Sequence, residues 1–293
     1  MNFNFGELKM FWFKKKKKKP IGIILYKGNS LYDGKKIMII STGVFNKSKN
    51  SKTGEMIQTY ILRRDICPLL AHRLGEDKSI CTTCKHKENS TCYVNIGQGP
   101  KSVYSAYHND SYRDFEEGDI KYFKGKNIRI GSYGDPAIIP FEVIDYICKD
   151  ANKVTGYTHF WKSCDQRLKK YCMASVDSIK DYMNEYYEAN NLGWRTFRIR
   201  ENEDNLLVNN EIMCPASKES GVKNTCSNCG LCSGLSNKSN KNIVILLHGD
   251  SEKMGSMWKL ERYIKMMKKI KNKKKYRRDY NLERKMFREI CHY

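Results

Sequence analysis

The stretch NIRIGSYGDPAIIPFEVIDYICKDANKVTGYTHF, residues 127–160, decides the fold class. NIRIGSY (127–133) reads as a strand that GDP punctuates at its end. Pro140 can open a helix over 140–152, with Phe141, Ile144, Ile147 and Cys148 on one face. VTGYTHF (154–160) then returns as a strand. A strand, a crossover helix and a second strand imply parallel pairing and a right-handed connection.

The same grammar extends outward. KIMIIST (36–42) and MIQTYIL (56–62) read as strands on either side of the polar loop NKSKNSKTGE (46–55). Residues 67–100 read as an irregular, cysteine-bearing segment ending in the turn-rich NIGQGP. YCMASVDS (171–178) is a strand, with Asp177 and Ser178 placed to cap the helix IKDYMNEYYEANNLG (179–193) that Gly193 stops. RTFRIR (195–200) alternates with period two, and NIVILLHG (242–249) is a fully apolar strand. The expected class is α/β, as a full or partial (β/α) barrel or an open doubly wound sheet. Both place their sites at the C-terminal ends of strands. Ser132 to Asp135, His159, Ser175 to Asp177 and His248 fall at those ends, although a hydrogen-bonded structural role is the first reading of either histidine.

The 293 residues carry 40% hydrophobic residues, enough for a packed core, and a net charge of +22. That charge sits at the ends. Residues 1–20 contribute +6 and residues 257–293 contribute +10. The sequence therefore divides into a basic tail (1–20), a core (21–256) with cysteine segments at 67–100 and 214–234, and a basic helical extension (257–293). Such ends can hold nucleic acid by counterion release, or can be a solvated solubilising surface. No stretch approaches the length of a membrane span. The N-terminal charge follows the apolar residues instead of preceding them, which predicts no export and a cytoplasmic protein. Twelve cysteines in such a chain point to thiolates and metals.

Two sets of cysteines carry the chemistry. In TCSNCGLCSG (225–234), Cys226, Cys229 and Cys232 are spaced by three, and Cys214 upstream completes a set of four. A CxxCxxC triplet suits a cubane in which each sulfur takes a different iron, whereas zinc more often uses two CxxC pairs. In SICTTCKHKENSTCY, Cys81, Cys84 and Cys92 form the other set, with His86, Cys67 and His72 as candidate fourth ligands. Left at three cysteines, a cubane keeps one iron open. With His86 added, the set becomes a closed zinc knuckle. Cys148, Cys164, Cys172 and Cys291 lack ligand spacing.

Two resemblances rest on these motifs. The order of cysteine triplet, strand with GSYGDP, strand with ASVDS and second cysteine set resembles radical S-adenosylmethionine enzymes. Here Cys81, Cys84 and Cys92 depart from that family's usual CxxxCxxC spacing. The resemblance implies a partial barrel and a [4Fe–4S] cluster on the triplet. It also implies S-adenosylmethionine held near Gly131, Gly134 and Asp135, with Ser175 and Asp177 contributing from a later strand, and an auxiliary cluster on the second set. TGEMIQTYIL, CYVNIGQGP, IGSYGDPAIIPFEV, TGYTH, MASVDS, GWRTFR and CPAS, over roughly 41–249, are similar to a group of tailed-phage and prophage proteins without an assigned reaction. That likeness implies a protein of the host-cell cytoplasm. A zinc-stapled, non-catalytic nucleic-acid-binding protein is the alternative.

Overall fold

The computed structural model describes residues 19–48, 50–88, 92–176, 182–200, 210–236 and 239–246. The basic tail up to residue 18, Asp177, Ser178, His248 and the 257–293 extension lie outside the described residues.

The protein is an α/β molecule with two sheets. The first contains β1 (Gly22–Asn29), β2 (Lys36–Thr42), β3 (Ile57–Arg63), β4 (Tyr112–Asp114), β5 (Asn127–Tyr133) and β6 (Lys153–Thr155), in the order β4-β1-β2-β3-β5-β6. The neighbours β1, β2 and β3 are antiparallel, while β3, β5 and β6 are parallel. The second sheet contains β7 (Tyr157–Thr158), β8 (Met173–Val176), β9 (Thr196–Arg200), β10 (Glu211–Met213) and β11 (Asn242–Leu246), ordered β10-β11-β9-β8-β7 and parallel throughout.

One residue, Gly156, separates β6 from β7, so the chain leaves the edge of one sheet and enters the edge of the other. The expected strand 154–160 is therefore two short strands with different partners. Only glycine fits between them: a Cβ on Gly156 would stand 2.7 Å from the Cys172 sulfur and 3.0 Å from Ile130. Across this switch β3, β5, β6/β7, β8, β9 and β11 form a parallel run whose spatial order follows the chain.

β2 is central and covered on both faces, which accounts for the unbroken buried run Ile37–Ile40. The segment 67–100 is more regular than its composition suggests. It holds α1 (Pro68–Leu74), α2 (Lys78–Cys81), α3 (Lys85–Glu88) and the start of α4 (Gly99–His108), with Pro68 and Pro100 in the first turns of α1 and α4. Contacts of α1, α2 and α4 with β3 tie this segment to the sheet.

α5 (Phe141–Cys148) starts after Pro140 and buries the expected face of Phe141, Ile144, Ile147 and Cys148. α6 (Tyr182–Asn191) packs against β8 and β9, and its Tyr186 hydroxyl accepts a hydrogen bond from Asn242 Nδ2 at 3.1 Å. The main core joins Ile23, Ile39, Ile61, Phe123, Ile130 and Trp161, each buried side chain contributing about 1.5–3 kcal/mol. Cys148 and Cys172 are buried there, and desolvation pushes both thiols up, so they are inert apolar fillers. Among the described residues no helix is long and apolar enough to cross a membrane.

Candidate metal centres

The first cysteine set lies where β3 and β5 end. Cys81 closes α2, and Cys84 follows in a turn in which its N–H donates to the Cys81 carbonyl at 3.1 Å. Desolvation pushes the Cys81 thiol well above its usual range, and the charges of Asp77, Cys84 and Cys92 add to the rise. Cys84 and Cys92 thus lie within electrostatic reach of Cys81. A metal there must displace the thiol protons, which couples binding to proton release.

The GSYGDP loop packs directly on this set. The Asp135 N–H donates to the Ile80 carbonyl at 2.6 Å. Gly134 has φ +83°, and a Cβ on it would come within 2.7 Å of the Ile61 Cβ, so this crossing requires glycine. Gly131, also left-handed at φ +65°, turns the end of β5 beneath the Gly134 carbonyl and Pro136. Tyr133 is buried, its hydroxyl has no hydrogen-bond partner among the described residues, and Cys81 and Cys92 are among the charges that raise its pKa after desolvation. An orphaned buried hydroxyl beside two thiols fits a site that takes an additional acceptor.

Asp135 is buried and faces its own chain. Its Oδ1 accepts from Ala137 N–H at 2.9 Å and its Oδ2 from His159 N–H at 2.8 Å, with the Thr82 hydroxyl 3.5 Å from Oδ2. The carboxylate therefore fastens the ends of β5 and β7 to the residue after Cys81. Desolvation raises its pKa above the usual carboxylate value, partly offset by His159 and these donors. Thr82 itself has φ +51°, an uncommon conformation for a β-branched residue and a point of strain beside a candidate ligand.

The other candidates take different positions. Cys67 is buried at the start of α1 and is not among the free thiols. His72 Nδ1 lies 2.9 Å from the buried Asp77 carboxylate, which also pairs with Lys87. The His86 ring meets that of His159 edge-on at 5.7 Å. Ser175 is buried in β8, where its carbonyl accepts from the Trp161 indole at 3.0 Å.

The second set lies toward the opposite ends of the strands. α7 (Cys226–Cys229) is capped by the Thr225 hydroxyl and lies against the N-terminal ends of β5 and β6. Asn127 Nδ2 donates to Ser227 Oγ at 2.8 Å, and Lys153 Nζ donates to the Asn228 carbonyl at 2.6 Å. The Gly156 N–H donates to the Cys232 carbonyl at 3.2 Å. Cys214 follows β10, with its N–H on the Val244 carbonyl at 2.8 Å.

Cys214, Cys226, Cys229 and Cys232 together line one pocket with Thr155 and Ile243. Desolvation raises the Cys214, Cys226 and Cys232 thiols; Cys229 adds to each rise. Four sulfurs from two separate segments thus face one space, a composition of the kind that binds a metal or cluster. As placed, no three His, Cys, Asp or Glu side chains among the described residues converge on a single-ion geometry.

Several residues at these centres carry no signal in the sequence. Tyr133 and Thr82 act through tertiary approach, which spacing does not encode. Arg129, between the buried Ile128 and Ile130, is visible as a charge inside an apolar strand. No family model, curated protein or solved structure matches the chain.

Proposed function

We propose that the protein is an iron–sulfur enzyme resembling the radical S-adenosylmethionine type, built on a partial (β/α) barrel. Cys81, Cys84 and Cys92 hold a cubane with one open iron, and Cys214, Cys226, Cys229 and Cys232 hold a second, closed centre. One observation carries this reading: the triplet follows β3, the first strand of the chain-ordered parallel run, and the loop after β5 packs against it. β1 and β2 extend the sheet beyond β3 through antiparallel pairings, so β3 is still the first strand of the chain-ordered run. The Tyr93 hydroxyl donates to the Leu246 carbonyl at 2.9 Å, linking the cysteine segment to the end of β11 and supporting a curved, barrel-like run.

A cubane with an open iron supplies, when bound, an electron to S-adenosylmethionine at that iron. The chain's own part is to hold three sulfurs together, to shield them with Tyr133, Ile80 and Ile61, and to shape the adjoining loop. Because the Asp135 carboxylate is occupied by N–H donors, its part is to hold that loop in position. An approaching amino group meets the loop backbone around Gly131 and Gly134. Ser175 shares the strand-end region, and the role of Asp177 remains an expectation of the resemblance.

The basic ends favour a nucleic-acid substrate over a peptide. Zinc in the second centre is the alternative, favoured by the small space that its sulfurs enclose, about 10 Å³. The CxxCxxC spacing of Cys226, Cys229 and Cys232 favours a multi-iron core. Incubating anaerobic, reduced protein with S-adenosylmethionine tests the chemistry. Formation of 5′-deoxyadenosine that is lost in Cys84→Ser supports it, and no product from iron-loaded protein removes it.

A further inference from the structure

The four-cysteine pocket has polar neighbours besides its ligands, and a role for them rests on reading that pocket as a metal centre. Four thiolates around a divalent ion, or around an oxidised cubane, leave a net charge of about −2. A buried charge of that size is retained only with hydrogen-bond donors and counter-charge around it.

The strand pair β5–β6 and the start of β7 present such groups. Thr155 lines the pocket, is 1% exposed, and its Oγ1 has no hydrogen-bond partner among the described residues. A buried hydroxyl with no acceptor is unfavourable, and a metal-bound sulfur in the same pocket relieves it. Arg129 is the register partner of Thr155, so both lie on one face of the sheet. Its Nε is buried and has no hydrogen-bond partner among the described residues. Tyr157 packs against the small cluster that contains Cys232 and Ile243. Lys52, whose carbonyl accepts from the Cys226 N–H at 3.2 Å, adds a second positive charge next to the set.

We propose that β5, β6 and β7 form a polar wall for this centre. Thr155 donates its hydroxyl to a metal-bound sulfur, Tyr157 donates to the Cys232 sulfur, and Arg129 offsets part of the negative charge. Donors and positive charge around the sulfurs hold the metal more firmly and, for iron, raise the reduction potential. Where the metal is iron, the wall favours the reduced form of the centre; where it is zinc, the wall serves metal retention alone.

The test uses the full chain purified anaerobically with its metal. Thr155→Val keeps the shape and removes the donor, and Thr155→Ser restores it. Release of metal to a chelator is expected to be about tenfold faster in Thr155→Val and Tyr157→Phe, and near the wild-type rate in Thr155→Ser. If the metal is iron, Arg129→Met lowers the midpoint potential of this centre. Unchanged release in Thr155→Val and Tyr157→Phe, while Cys229→Ser loses the metal, overturns the polar wall alone. Unchanged metal content in Cys229→Ser overturns the centre and the wall together.

Discussion

At the scale of single residues, the GSYGDP loop illustrates how a motif can be legible while its mechanics are not. The sequence marks Gly131, Gly134 and Asp135 as a site. The structure gives Gly134 a steric task, because β3 and the end of α2 leave no room for a Cβ. Gly134→Ala is expected to lower stability by about 1–3 kcal/mol, as read from chemical denaturation, through strain at positive φ and overpacking.

Asp135 fastens two strand ends and the residue after α2 through a buried carboxylate. Because its folded pKa is raised, its contribution to stability is fully present below the ordinary value of 3.8 and is lost as pH rises through the folded value. Wild type should therefore gain stability relative to Asp135→Asn as pH falls from 7 toward 4. A relative loss over that range would contradict the burial argument. Cysteine spacing points to the candidate ligands, but not to Tyr133 or Thr155, which tertiary packing brings to the same two places.

At the scale of elements, period and turn signals locate β2, β3, β5, β8, β9 and β11 with small shifts at their ends. β1 escapes those signals, although Ile23 and Ile24 are buried in it. The helices of 67–100 are short and interrupted, too short to give a period, so they read as irregular. The break at Gly156 is invisible in the sequence because VTGYTHF is uniformly strand-like and only the neighbouring Cys172 and Ile130 force the switch.

β9 and β10 flank β11, and the buried pair Arg198–Glu211 joins them across it, with Nε to Oε1 at 2.9 Å and Nη2 to Oε2 at 2.6 Å. Removing one partner leaves an uncompensated buried charge. Glu211→Gln should cost about 3–5 kcal/mol in urea unfolding, and a change below about 1 kcal/mol would show that this pair does not hold the end of the sheet.

At the scale of the whole molecule, the two cysteine sets lie toward opposite ends of the parallel strands. β5 connects their neighbourhoods: Asn127 bonds the α7 segment, and Tyr133 lies beside Cys81 and Cys92. Seven strand residues span about 20 Å. In the proposed enzyme, that separation gives the open set the ligand-binding end and the closed set the base. If the basic ends carry nucleic-acid affinity, removing residues 1–18 and 257–293 together should weaken binding and flatten its salt dependence. Unchanged salt dependence would assign those ends to solubility.

The most direct measurement of the central claim is iron and sulfide content in anaerobically prepared wild type, Cys84→Ser and Cys229→Ser. The account predicts about eight irons per wild-type chain and about four in each variant. Addition of S-adenosylmethionine should change the reduced electron paramagnetic spectrum in wild type and Cys229→Ser, but not in Cys84→Ser. Colourless protein carrying only zinc at both sets would contradict it.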